Sequence, residues 1–318
     1  MTHRLIIALL LTVAFQAMAL PDYSKGVLDV AKVMAEAAKV TAEKFPNSDD
    51  VLVDDYIVHE FEPDGTAISY DETFFKVLTE KGRRGATTLS RHFTLPYGTA
   101  GYTFVEVIKP DGTRVPVDLK TKSKVMVNRS QMSSNIYNPN SKVLQVTVPE
   151  VAIGDTIHYV AKAEIVKPRV PNTWSELEVW EYTSPIQHFV YEVRAPKSQP
   201  LRNIVLKGEI PGTVTHTKRE EGDRIIYRWE IANVPRMYNE PNMPPLYTVV
   251  QRLLISTIPD WNYLSKWYWK LSEPHFATTP AMREKVAELT KGITDRKEKI
   301  TAIFRFVSQE IRYMGITT

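Results

Sequence analysis

The chain has 318 residues, with 40 Lys and Arg against 37 Asp and Glu, a net charge of +3 and no cysteine. The missing cysteine excludes thiol catalysis, cysteine zinc sites, iron–sulfur clusters and redox relays within this chain. No basic block stands out along it, so nucleic acid is not an expected partner.

The first residues read as an export signal. Arg4 sits in a short n-region, an apolar run extends from Leu5 to Phe15, and Ala17-Met18-Ala19 supplies small residues for signal peptidase. Cleavage is expected between Ala19 and Leu20, because the run is shorter than the ~20 apolar residues of a membrane span. No later stretch reaches spanning length, so no membrane span is expected in the cleaved product. An exported, periplasmic or secreted location follows from that reading.

Residues 20–46 predict an amphipathic helix, Ser24–Phe45, in which Val27, Val30, Met34, Ala37, Ala38 and Thr41 recur near helical spacing. Pro46-Asn47 ends it. From residue 47 to 258 the period changes to two. Leu144, Val146 and Val148 share one strand face, as do Ile157, Tyr159, Ala161, Ala163 and Ile165. Phe189, Tyr191 and Val193, then Ile225, Tyr227, Trp229 and Ile231, repeat the pattern. Pro63-Asp64-Gly65, Pro110-Asp111-Gly112 and Glu221-Gly222-Asp223 carry hairpin-turn chemistry. The fold class expected is mainly β: a β-sandwich region, single or divided at a seam near 167–173, between an N-terminal helix and a C-terminal helical segment. Val234–Leu246, with four prolines, reads as an extended linker. Helices return after Pro259: Thr279 and Pro280 begin one, Gly292 stops it, and Asp295 with Glu298 forms a capping box for the next, faced by Ile300, Ile303, Phe304, Val307 and Ile311.

Few candidates for chemistry emerge. No G-x-S-x-G elbow, zincin pair, Walker sequence or dinucleotide fingerprint occurs, so no catalytic residue, metal or cofactor is expected. His59, His92, His158, His188, His216 and His275 are scattered and read as ordinary surface or core histidines. Asp49, Asp50, Asp54 and Asp55 form an acidic cluster without calcium-loop spacing and read as a solvated loop and strand edge. Trp261, Tyr263, Trp267, Tyr268 and Trp269 crowd into nine residues. The favoured reading is packing, with Leu264, Trp267, Tyr268 and Leu271 on a buried stripe. The alternative is a ligand-stacking platform of Trp261, Trp267 and Trp269 in a carbohydrate-binding module.

Several segments, in order, resemble a known family. Lys44 to Val53, Phe61 to Thr66, Val105 to Gly112, Val148 to Tyr159, Ser184 to Pro196 and Trp229 to Pro241 are similar to the β-rich domain of unknown function that precedes transglutaminase-like domains in exported bacterial proteins. The resemblance implies an immunoglobulin-like sandwich over 47–258. It also implies that 259–318 is the start of a transglutaminase-like domain whose Cys-His-Asp triad would lie beyond Thr318. On that reading the chain itself is non-catalytic and binds or positions a protein or cell-envelope substrate. The alternative is the front part of a papain-like or transglutaminase-like cysteine enzyme.

Overall fold

The computed structural model describes residues 21–134, 136–312 and 314–316. The proposed signal peptide and the Ala19–Leu20 cleavage site lie outside the described residues. After a short N-terminal segment comes helix α1 (Val30–Ala38). Strands β1 (Asp50–Phe61) and β2 (Ala67–Val77), helix α2 (Glu80–Ala86), strands β3 (Thr88–Thr94), β4 (Gly98–Ile108) and β5 (Arg114–Pro116), the single turn α3 (Leu119–Lys122) and β6 (Ser123–Val127) follow. Then come β7 (Ile136–Tyr137), β8 (Ser141–Thr147), β9 (Thr156–Ile165), β10 (Ser175–Val179), β11 (Ile186–Pro196), β12 (Asn203–Lys207), β13 (Val214–Glu221), β14 (Arg224–Val234) and β15 (Arg252–Ser256). Helices α4 (Trp261–Ser272), α5 (Pro280–Leu289) and α6 (Arg296–Arg305) precede β16 (Gly315–Ile316).

The fold is mainly β and is organised by one continuous sheet of order β13-β14-β11-β1-β2-β9-β4-β5. Every pairing in it is antiparallel except β1 with β11. Two three-stranded sheets, β10-β15-β12 and β3-β8-β6, cover it. The first closes a core around Trp174, Trp180, Tyr191, Trp229 and Leu253; the second closes a core around Val105, Val107, Val146 and Ile157. Leu52 and Phe75 are direct cross-strand partners, and they pack against the first and second cores respectively. Directly opposed side chains share a face, so both small sheets lie on the same side of the large one. Residues 167–173 carry the chain from β9 of the large sheet to β10 of a small one.

On the opposite face α1 buries Val33 and Ala37 against Val51, Val53, Phe74 and Ile108. This helix is much shorter than the predicted Ser24–Phe45. Gly26 sits at φ +80, and a Cβ there would lie 2.4 Å from the Glu72 carboxylate. The next amides, Val27 and Leu28, donate to Glu72 Oε2 at 2.5 and 2.9 Å. That tertiary bond holds the segment extended until the Asp29 side chain caps α1 by accepting from Ala31 and Lys32.

The C-terminal helices begin where expected: Thr279 accepts from the Met282 amide and Asp295 from the Glu298 amide. The buried aromatic stripe does not form. Tyr268 and Leu271 are exposed and Leu264 and Trp267 only partly covered, because α4 starts past the edge of the sandwich and little of it reaches back. Among the described residues no helix long and apolar enough to cross a membrane is present.

Candidate functional site

A group of buried polar side chains lies between the two small sheets, over the middle of the large one. It begins with an irregularity in β1. Val51 and Val53 face α1, and strict alternation would send Asp55 the same way. A register shift between Leu52 and Asp54 absorbs one extra residue, so Asp55 and Ile57 instead face the sandwich side. The cavity they floor holds 620 Å³ and is lined also by Asp71 and Thr73 of β2, Tyr159 of β9, Tyr102 of β4, Arg91 of β3 and Glu178 of β10.

Asp55 is 7% exposed. The Thr73 hydroxyl lies 3.4 Å from its Oδ1 but only 2.6 Å from Asp71 Oδ1, and one proton serves one acceptor well. Asp71 takes that proton and pairs with the Arg91 guanidinium, leaving Asp55 with the long contact. Arg91 in turn lies 5.8 and 5.6 Å from the ring centres of Tyr102 and Tyr159. Burial, then the neighbouring Asp71 charge, pushes the Asp55 carboxyl well above the carboxylate range. Burial, with Glu176 and Asp71 adding, raises Glu178 to about 8. Burial also raises Asp50, against the hydrogen bond from Ser184. The cleft is therefore short of cations: Arg91 faces Asp50, Asp55, Asp71 and Glu178. These carboxyls do not form a metal-holding group of three among the described residues.

The reading of the acidic cluster as a solvated edge is corrected here. Asp49, at the mouth of β1, accepts from Thr79 and Lys81; Asp54 accepts from His188 at 2.7 Å; Asp50 and Asp55 line the cleft. β1 is central in the sheet, which the four acids alone do not reveal. Nothing in the sequence marks Asp71, Arg91 and Glu178, because each is one polar residue in a strand and only the fold brings them together.

The large sheet's other face carries a second polar cluster. His158 lies between Phe74 and Phe104, its Nδ1 2.6 Å from Glu106 and its Nε2 3.1 Å from Glu72. Burial raises Glu106, but hydrogen bonds from His158 and Arg114 outweigh it and bring the group down to about 2. With His158 packed between two phenylalanines and Glu72 holding the N-terminal segment, this cluster is structural. His59 is a core histidine beside Trp174 and Tyr191, and burial lowers it to about 4.

The three tryptophans do not assemble a platform. At about 100° per residue, Trp267 and Trp269 lie roughly 240° and 80° around α4 from Trp261. Trp261 is 81% exposed at the edge of a 540 Å³ groove with Leu177, Val205 and Leu254, whereas Trp269 stacks on Phe276 at 5.6 Å.

No curated protein matches the chain. Among solved structures, one from Parabacteroides distasonis called a "putative protease" is similar, with a TM-score of 0.68 at 16% identity over 83% of this chain. The chain covers 50% of that protein's length, and the likeness shows a shared fold. A CBM3a-L domain from a Clostridium thermocellum scaffoldin aligns at 10% identity over 37% of this chain and 69% of its own, but its TM-score of 0.22 carries no argument. Residues 63–238, more than half of the sequence, match the family described as a domain of unknown function with a solved structure, DUF3857; the chain belongs to that family.

Proposed function

We propose that the chain is an exported, non-catalytic β-sandwich module that binds or positions a protein or cell-envelope substrate for a transglutaminase-like domain whose opening helices are α4–α6. The observation that carries this reading is the cleft. Two carboxyls, Asp55 and Glu178, are held toward the neutral form by burial around a 620 Å³ cavity, and shifted acids gathered in a cleft are the mark of a binding site. The absence of cysteine supports a binding role over thiol chemistry within this chain.

Hydrogen exchange of the purified chain with a panel of peptides and cell-wall fragments tests the proposal. Protection at β1, β2, β3 and β10, abolished by Arg91→Ala, is expected. Protection confined to other surfaces, or turnover of the panel by the chain alone, overturns it.

A second reading is that the chain forms the front part of a cysteine enzyme. It is favoured by the Parabacteroides distasonis protein, whose chain is twice as long as the matched region. Reading the coding sequence past Thr318 tests it: a continuing frame with a Cys-His-Asp set supports the enzyme, and an immediate stop removes it.

A further inference from the structure

The cleft is bounded by two unpaired strand edges. β3 is the outer strand of one small sheet and β10 of the other. On β10, the Trp180 amide donates to Gln251 and Trp174 accepts from Thr257, both at 2.9 Å. Even-numbered residues therefore exchange bonds with β15, and the backbone groups of Ser175, Leu177 and Val179 point away from it. On β3, Thr87 accepts from Val148 at 2.9 Å and Leu95 donates to Asn140 at 3.0 Å, so Thr88, Ser90, His92 and Thr94 point away from β8.

Of these, Thr88, Ser90, His92, Thr94 and Ser175 line the space between the sheets. Thr88 and Ser90 border the 620 Å³ cavity opposite Glu178. His92 and Thr94 border a 480 Å³ cavity whose far wall includes Thr173 and Ser175. The two cavities thus follow one another along β3, which runs antiparallel to β10 across the gap. Charge is graded along the groove. The end under Glu178 has Asp55 and Asp71 in its floor, and the far end presents Lys167 and Arg169, with Glu164 there already paired to Lys162. The Leu177 amide, on the free edge, already reaches 3.2 Å to the Glu176 carboxylate, in place of a strand carbonyl.

Resting on the binding role proposed above, we infer that the groove takes an extended peptide as an added strand between β3 and β10, with a basic side chain over Asp55 and Glu178 and an acidic one toward Lys167 and Arg169. An added strand satisfies both edges through its backbone, and alternate side chains reach the floor. In the floor, Asp55 is a 7% exposed carboxyl lining the cavity, and the Thr73 hydroxyl between it and Asp71 lies closer to Asp71.

The test uses a capped Lys-Thr-Val-Thr-Val-Thr-Glu peptide and fluorescence anisotropy with the mature chain. Acetylating the lysine, or changing Glu178→Gln, is expected to weaken binding about tenfold. Methylating alternate backbone nitrogens, a control that needs no protein variant, is expected to weaken it about a hundredfold. Hydrogen exchange is expected to slow at Ser90, His92 and Leu177. Equal binding of the methylated peptide, protection at another edge such as β13, or no binding at all overturns the inference. So does concentration-dependent dimerisation that protects the same amides without peptide. If a cell-wall glycan protects the cleft while the peptide does not, the inference falls and the binding role stands.

Discussion

Asp55, Glu178 and Glu106 are all acids on one sheet system, yet their surroundings move them in opposite directions. Glu178 is raised from 4.5 to about 8, so the stability linked to its neutral form is complete below about 4.5 and is lost as pH rises through about 8. Glu178→Gln should remove this loss. The variant is expected to match the parent near pH 5 and to be about 1–2 kcal/mol more stable near pH 9, a figure discounted for the side chain's partial exposure. Urea denaturation at the two pH values checks it. Glu106 behaves in the reverse sense. Its level of about 2 means that its contribution is present above 4.5 and is lost as pH falls through about 2. Glu106→Gln is therefore expected to lower stability at neutral pH and to flatten the acid limb of a Tm-against-pH profile.

At the scale of elements, the N-terminal segment is held less by helix propensity than by one carboxylate. Glu72 accepts from Val27 and Leu28 and faces His158, so the segment is tied to the middle of the sheet before α1 begins. Glu72→Gln keeps the shape and removes the charge, with an expected cost of about 2–3 kcal/mol. Gly26→Ala introduces a Cβ against the same carboxylate at a positive φ, with an expected cost of about 1–2 kcal/mol. In both variants limited proteolysis should cut between residues 21 and 29 well before the sandwich unfolds. Resistance equal to the parent would show that α1 packing alone holds the segment.

For the whole molecule, the contrast is between a sandwich with three buried cores and a helical segment with none. Among the described residues α4, α5 and α6 contain no buried side chain, and Phe304 is 68% exposed beside exposed Ile300 and Val307. An apolar face of this extent seeks cover. The chain is expected to bind a hydrophobic dye and to self-associate at tens of micromolar, and Phe304→Lys with Val307→Lys should reduce both without changing the sandwich Tm. Dye binding unchanged by the double variant would move the sticky surface to the Trp261 groove.

Much of the architecture was legible from local chemistry. Period-two alternation marked β9, β11 and β14, the Pro-Asp-Gly turns marked two hairpins, and Thr279 and Asp295 marked two helix starts, because each depends on residues a few positions apart. The extent of the N-terminal helix was not legible, since Glu72, over 40 residues away, overrides helical spacing at Val27 and Leu28. Nor was the site. Asp55 looked like one of four surface acids until the register shift in β1 turned it inward, and Asp71, Arg91 and Glu178 meet it only because three sheets converge there. Single residues and short-range periodicity were enough for the mainly-β class, the turns, the caps and the absence of a thiol within these 318 residues. That two small sheets share one large one and leave facing edges with a cleft between them emerges only in the folded chain, because strand order and burial depend on contacts between residues distant along the sequence.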